Sequence, residues 1–357
     1  MKILHIASQN TAGMPMDFVK MHRAAGQDAN LLTIFKNNLD FEEDISIGLK
    51  LPSGKLAQSW RNKKVSSGAK SKNVPSKIKY IEPKNIAEEL FFTVRDKLNT
   101  KKINSVIEKY DLYNYDIYHF DGGVDLFRDV SFAMELKKRK KKIVCCYFGS
   151  DLRTRGIFKE LDKISDLNLT VEFDHLSLYK GINYLFFPFD LTGLEFKEPP
   201  SGKIRIIHSP TNRLYKGTDK IIPIMDKLVE NADVEFLLKE KIHRKELLEI
   251  KRSCSLAIDQ VGGEMGGSGY GKNSIENFAM GIPTATEFSD NYLKFLPENP
   301  FICSTIETLY NDLLELAADR NKLKMKAIEG RKWIEKYHSL ESVNKRLMTL
   351  YEKYNII

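Results

Sequence analysis

Short apolar runs alternate with longer stretches of helical periodicity along most of the chain, and this alternation constrains the fold more than any other feature. Strands are expected at 3–7, 29–34, 117–120 and 143–148, with helices at 16–25, 85–109 and 124–138. Such a βα series implies a parallel sheet covered on both faces. The run Leu-Phe-Phe-Pro-Phe-Asp-Leu at 185–191 then gives way to Gly193, Glu195, Pro199, Pro200 and Gly202, the composition of a linker. Beyond it a second series begins, with strands expected at 203–208, 234–238, 256–258, 284–286 and 301–303. The expectation is an α/β chain of two Rossmann-like domains, 1–195 and 196–338. A closing amphipathic helix within 339–357 has Val343, Leu347, Leu350 and Tyr351 on its apolar face. The length of 357 residues suffices for two domains of ordinary size.

A hydrophobic content of 42% with 29% charged residues is that of a soluble globular protein. No apolar run approaches the roughly eighteen residues of a membrane span. Ile3-Leu4-His5-Ile6 follows Met1-Lys2 too closely to be a signal-peptide core. Cys145, Cys146, Cys254 and Cys303 fit no metal-binding spacing, and three of them fall in or beside expected core strands. These features together read as a cytoplasmic protein with reduced thiols.

The stretch 255–283 is the richest in chemistry. After the apolar run 256–258 come Gly262, Gly263, Gly266, Gly267, Gly269 and Gly271, six glycines in ten residues. A helix is expected at 273–280, stopped by Gly281 and Pro283. A strand, a glycine loop and a helix N-terminus make an anion site, because backbone N–H groups approach a phosphate closely there. Glu276 lies in the first turn, on the side from which a ribose would be held. Gly266 to Lys272 matches a P-loop until Asn273, which stands where Ser or Thr would hold Mg²⁺. A dinucleotide fingerprint is matched only in part.

Ser268-Gly-Tyr-Gly-Lys-Asn-Ser-Ile-Glu276, followed by Ala279, Met280, Gly281 and Pro283, resembles the donor-site signature of glycosyltransferase family 4. These are retaining enzymes of GT-B fold. The resemblance implies two Rossmann-like domains facing each other across a cleft, with the C-terminal helix crossing back to the first. It further implies that Glu276 holds the ribose of a nucleoside-diphosphate sugar. The family has a second glutamate, in contact with the donor sugar, where this chain has Ser268.

Around Arg213 the segment His-Ser-Pro-Thr-Asn-Arg-Leu-Tyr-Lys-Gly (208–217) leaves the first strand of the second domain and enters a helix whose cap is read as Thr218 or Asp219. Arg213 and Lys216, just ahead of Gly217, can neutralise charge on a departing nucleoside diphosphate. They map onto the family's Arg…Lys-Gly pair. The donor set is therefore Arg213, Lys216, Gly217, Ser268, Gly271, Lys272, Asn273, Ser274 and Glu276. His208 is given no role.

In the first domain, His119 and Asp151 end two expected strands. By resemblance, His119 is the candidate to hydrogen-bond the donor sugar or the attacking hydroxyl, and Asp151 or Arg153 to position the acceptor. Gly13 and Met14, ahead of a helix, can offer N–H groups to phosphates. The other reading of a histidine at a strand end is a satisfied structural one.

Residues 51–81 carry Lys55, Arg61, Lys63, Lys64, Lys70, Lys72, Lys77 and Lys79 with no Asp or Glu, plus Trp60 and Tyr80. This is either a solvated loop or a segment that meets an anion. An anionic membrane face or a pyrophosphate-linked acceptor is preferred over nucleic acid, for which no motif occurs. The function expected is transfer of a sugar from a nucleoside diphosphate, UDP being the commonest, to a glycan or lipid-linked acceptor in cell-surface polysaccharide or glycolipid synthesis. No metal or other cofactor is expected. The alternatives are a GT-B nucleotide-sugar epimerase and a non-catalytic nucleotide-sugar-binding subunit.

Overall fold

After Lys2, every residue of the first strand, Lys2–Ala7 (β1), is buried, as a central strand of a doubly covered sheet requires. The computed structural model describes residues 1–36, 41–49, 80–81, 86–149, 151–263 and 269–357. The described chain falls into two units, Met1–Asp190 with Leu340–Ile357, and Leu191–Ser339.

In the first unit β1 is followed by Met14–Ala24 (α1), Asp28–Phe35 (β2), Ile45–Leu49 (β3) and Ile86–Lys109 (α2). Then come Ile117–Asp121 (β4), Ser131–Lys138 (α3), Lys142–Tyr147 (β5) and Lys159–Ile164 (α4). Leu167–Thr170 (β6), His175–Leu178 (α5) and Asn183–Tyr184 (β7) complete the series. The seven strands pair in the order β3-β2-β1-β4-β5-β6-β7, all parallel. Strand order reverses between β1 and β4, where His5 is opposite His119 and Ala7 opposite Asp121.

The second unit runs Ile204–His208 (β8), Arg213–Lys216 (α6), Thr218–Asn231 (α7), Val234–Leu238 (β9) and Arg244–Lys251 (α8). It continues with Leu256–Ile258 (β10), Lys272–Ala279 (α9), Thr284–Thr286 (β11) and Asp290–Phe295 (α10). Ile302–Cys303 (β12), Leu309–Ala318 (α11) and Arg320–His338 (α12) close it. Its five parallel strands lie in the order β12-β11-β10-β8-β9. The reversal here is between β8 and β10, with His208 opposite Ile258. Ligands of doubly wound sheets bind outside the carboxyl ends of the strands at such a reversal.

The last helix, Leu340–Lys353 (α13), belongs to the first unit and packs against α1. Val343, Leu347 and Tyr351, spaced four apart, are its buried stripe.

Several expected boundaries move. Strands β3, β6 and β7 were not anticipated: Ile-Ser-Ile-Gly-Leu, Leu-Asn-Leu-Thr and Asn-Tyr mix polar residues into short runs, and sheet pairing decides them. The helix expected over 124–138 begins only at Ser131. Asp125 accepts hydrogen bonds from the N–H groups of Phe127 and Ala133, and Val130 is left-handed at φ +62°, so the chain turns before it coils. The cap of α7 is Gly217, and Thr218 is its first buried residue. All four cysteines are free, with Cys303 exposed and the other three buried. No helix among the described residues is long and apolar enough to cross a membrane. Of the basic segment 51–81, only Tyr80 and Ile81 are described, the latter donating its N–H to the carbonyl of Ile157.

Candidate functional site

Two strand ends and two helix ends meet at the reversal of the second sheet. The first strand, β8, ends at His208, whose ring is used structurally: Nδ1 is 2.9 Å from the carbonyl of Ile258 and Nε2 2.9 Å from Thr218 Oγ1. The chain then turns through Asn212, whose side chain accepts from the N–H groups of Leu214 and Tyr215 and so starts the single turn of α6. That turn presents Arg213 and Lys216. Gly217 follows at φ +69°, and a Cβ there would stand 1.9 Å from the carbonyl oxygen of Val261, so only glycine lets α6 pass the loop after β10.

At the end of β10, Asp259 organises the site. Its carboxylate is fully buried and accepts from Lys216 Nζ at 2.6 Å, Ser274 Oγ at 2.6 Å and Asn273 Nδ2 at 3.3 Å. Burial alone would raise its pKa; Lys216 first, then these hydrogen bonds, overcome that and hold it at about 2. Lys216 also reaches Gln260 Oε1 at 3.4 Å, and an ammonium has three donors, so one further N–H remains for an anion.

The helix α9 starts at Lys272 behind Gly271, with no side chain capping it. Its first turn carries Asn273 and Ser274, both aimed at Asp259. One turn in, Glu276 accepts from Arg244 Nε at 2.8 Å and from Lys251 Nζ at 3.2 Å. Lys251 has no exposed surface and also donates to Asn273 Oδ1 at 2.7 Å. Glu276 is held below the ordinary carboxylate range: burial opposes this, and Lys251 and then Arg244 override it. Burial pushes the Lys251 ammonium down, against the pull of Glu276.

Arg213 is partly exposed and ion-paired to Asp219 at 2.6 Å and Glu240 at 2.7 Å. The glycine loop is pinned at its far end by Gly269, whose N–H donates to the carbonyl of Glu287 and whose φ of +127° suits glycine alone. Ser268 lies outside the described residues, as does the rest of 264–268. The structure thus brings Arg213, Lys216, Gly217, Gly271, Lys272, Asn273, Ser274 and Glu276 to one reversal point. Sequence reasoning missed Asp259, Lys251 and Arg244. Asp259 had a signal, a lone acid directly after a buried strand; Lys251, in the charged run Arg-Lys-Glu-Leu-Leu-Glu-Ile-Lys, reads as a surface residue.

In the first unit the expected residues are differently placed. His119, expected beside a donor sugar, is fully buried, and its Nε2 is hydrogen-bonded to the Tyr351 hydroxyl of α13. Asp151 accepts from the N–H of Phe148 at 3.0 Å and pairs with Arg155 at 3.0 Å. Arg153, expected to meet an acceptor, is bonded through one nitrogen to both oxygens of Asp174 at 2.6 Å and through another to the carbonyl of Gly149. Asp151 and Arg153 therefore brace the turn after β5. Gly13, at φ +70°, caps α1 ahead of Met14, and Asn10 Oδ1 accepts from the N–H of Met16.

No protein-family model matches the chain, and no curated protein sequence does. Solved structures do match, over the full length. Sucrose-phosphate synthase from Thermosynechococcus elongatus superposes with a TM-score of 0.57 at 12% identity, covering 99% of each chain. A TarM variant from S. aureus, in complex with fondaparinux, α-GlcNAc-glycerol and UDP, gives 0.57 at 13% identity, covering 98% of this chain and 100% of that one. A putative UDP-N-acetylglucosamine 2-epimerase from Listeria monocytogenes gives 0.52 at 12% identity, covering 99% of this chain and 96% of that one. The chain has the GT-B fold, in which glycosyltransferases predominate among the matching structures.

Proposed function

We propose that the chain is a retaining glycosyltransferase that moves a sugar from a nucleoside diphosphate to an acceptor hydroxyl. The carrying observation is the arrangement at the reversal of the second sheet. Lys216 and Arg213 leave one strand end, the N-terminus of α9 faces from the next, and Glu276 sits one turn inside that helix. A nucleoside diphosphate presents two phosphates and a ribose diol, which suit cations and helix N–H groups on one side and a carboxylate on the other.

In the transfer, the bond from sugar C1 to the diphosphate oxygen breaks with its electron pair passing to the diphosphate. The acceptor oxygen bonds to C1, and its proton leaves to the departing phosphate. Lys216, Arg213 and the α9 N-terminus oppose the charge that builds there, so the donor site asks for no metal. Retention rests on the resemblance of 268–283 to family 4. UDP is the preferred nucleotide, and a glycan or lipid-linked acceptor at the cytoplasmic membrane face fits the basic segment 51–81.

Calorimetric titration with UDP, GDP and uridine tests the reading, and absence of binding to any of the three sinks it. The epimerase shares this fold, so incubation with donor alone separates the two: epimerised nucleotide sugar marks an epimerase, and slow hydrolysis marks a transferase without its acceptor.

A further inference from the structure

Three histidines meet beneath the reversal point of the first sheet: His5 on β1, His22 on α1 and His119 on β4. All three have no exposed surface. One nitrogen from each ring lies within 4.8 Å of the other two. The rings of His5 and His119 are stacked at 4.2 Å between centroids, and His22 stands 5.4 Å from the first and edge-on to the second at 5.7 Å.

Each ring is tied at one nitrogen. His5 Nδ1 is 3.0 Å from Asp121 Oδ2, His22 Nδ1 2.5 Å from Gln27 Oε1, and His119 Nε2 is bonded to the Tyr351 hydroxyl. The Gln27 amide is oriented by its Nε2, which donates to the sulfur of Met348 at 3.6 Å. A carboxylate and an amide oxygen only accept, so His5 and His22 must carry their protons on Nδ1. In the neutral rings that a metal binds, Nε2 of each then carries the lone pair. Those two atoms, His119 Nδ1 and Asp121 Oδ1 are all buried without a hydrogen-bond partner. Buried polar atoms without partners are costly, and a cation held among them would offset that cost.

We propose that His5, His22 and His119 form a buried three-histidine site for a zinc ion that is structural and separate from the donor chemistry. Neutral imidazoles are zinc ligands, and the partners behind them form the outer shell such sites use: a carboxylate on one ring, an amide oxygen on the second, a phenol on the third. Asp121 supplies a negative charge beside the dication. Tetrahedral zinc needs ligand nitrogens about 3.3 Å apart, so binding draws the rings together and turns the stacked pair out of parallel. The ion links β1, β4 and α1, and through Tyr351 it is braced by α13.

The test uses the full, untagged chain. Elemental analysis after purification without chelator is expected to find one zinc per chain. Unfolding in guanidinium with chelator, then refolding with Co²⁺, is expected to give the visible absorption of imidazole-bound cobalt at one equivalent. His22→Leu should lose that signal while keeping nucleotide binding by the second unit. If His22→Leu does not fold, Gln27→Ala decides, since it keeps all three ligands and removes only the group orienting His22; metal affinity should fall about 10- to 100-fold. Protein that carries no zinc and takes up no cobalt on refolding overturns the proposal, and so does undiminished binding in both variants.

Discussion

Lys216 Nζ lies 2.6 Å from Oδ1 of Asp259, a carboxylate whose side chain has no exposed surface, while Lys216 keeps 17% of its own. The pair is thus asymmetric: the acid is part of the core and the base is its outlet toward solvent. Asp259 also fixes Ser274 and Asn273 in the first turn of α9, so one buried charge sets Lys216 and the helix N-terminus at once.

Replacing Asp259 with Asn should cost more stability than a surface ion pair would. It strands Lys216 and disorders the hydroxyl of Ser274. Breaking a buried pair from one side costs about 3–5 kcal/mol, and the partial exposure of Lys216 favours the lower end. Urea unfolding checks the value; a loss below about 1 kcal/mol would mean the pair is effectively solvated.

The same acid makes stability depend on pH. Its folded pKa of about 2 lies below the ordinary 3.8, so the folded state resists its protonation. That contribution is present above about pH 4 and is lost as pH falls toward 2, roughly 2–3 kcal/mol in all. Glu276, also held low, adds to the same acid limb. Unfolding curves taken from pH 5 to 2 should fall more steeply for the native chain than for Asp259→Asn. Parallel curves would contradict the assignment.

Within the clamp, Lys216 and Glu276 should fail in different ways. Lys216→Ala removes the proposed phosphate contact, so UDP binding should weaken and uridine binding persist. Glu276 also anchors buried Lys251, so Glu276→Gln is the cleaner change. It should weaken uridine and UDP alike. Each loss should be on the order of 1.5–3 kcal/mol, roughly 10- to 150-fold. Equal binding by both variants and the native chain would remove the site.

The sequence shows the strands that are mostly apolar, such as β1, broken only by His5 after its first lysine, and β5, because burial on both faces selects such a run. It does not show Leu-Asn-Leu-Thr as β6, since Asn168 is buried only by bonds to Asp162 and Tyr179 that folding creates. The clamp is legible where chemistry is local: Lys-Gly after a strand, and a glycine run before a helix. Lys251 is not, because its partners Asn273 and Glu276 arrive from a later helix. His119 is the sharpest case. Its strand end is visible, but which strand lies beside it is a matter of sheet order, and that neighbour, β1, puts His5 against it.

Activity in chelator should separate donor chemistry from the buried histidines. On the proposed reading Lys216, Arg213 and the α9 N-terminus supply the positive field at the donor site, so transfer should continue in EDTA over minutes. Any zinc held by His5, His22 and His119 is enclosed, and its loss should be slow and seen as a fall in thermal midpoint before turnover changes. Immediate loss of turnover, restored by Mn²⁺ or Mg²⁺, would place a metal at the donor site instead.

The basic segment should hold the protein to anionic membranes. Between 51 and 81 there are eight cations and no acid. At about 1 kcal/mol for each basic residue near an anionic surface, four engaged residues give reversible binding of useful strength, and Trp60 can anchor at the interface. The chain should sediment with vesicles containing phosphatidylserine, not with phosphatidylcholine alone, and binding should drop steeply as salt shortens the reach of the charges. Changing Lys63, Lys64, Lys70 and Lys72 to Ser should abolish it and leave donor hydrolysis intact, since none of these residues belongs to the clamp. DNA, a competing polyanion, should bind only weakly and without sequence preference. Equal binding to neutral vesicles, or none at low salt, would remove the membrane role of 51–81.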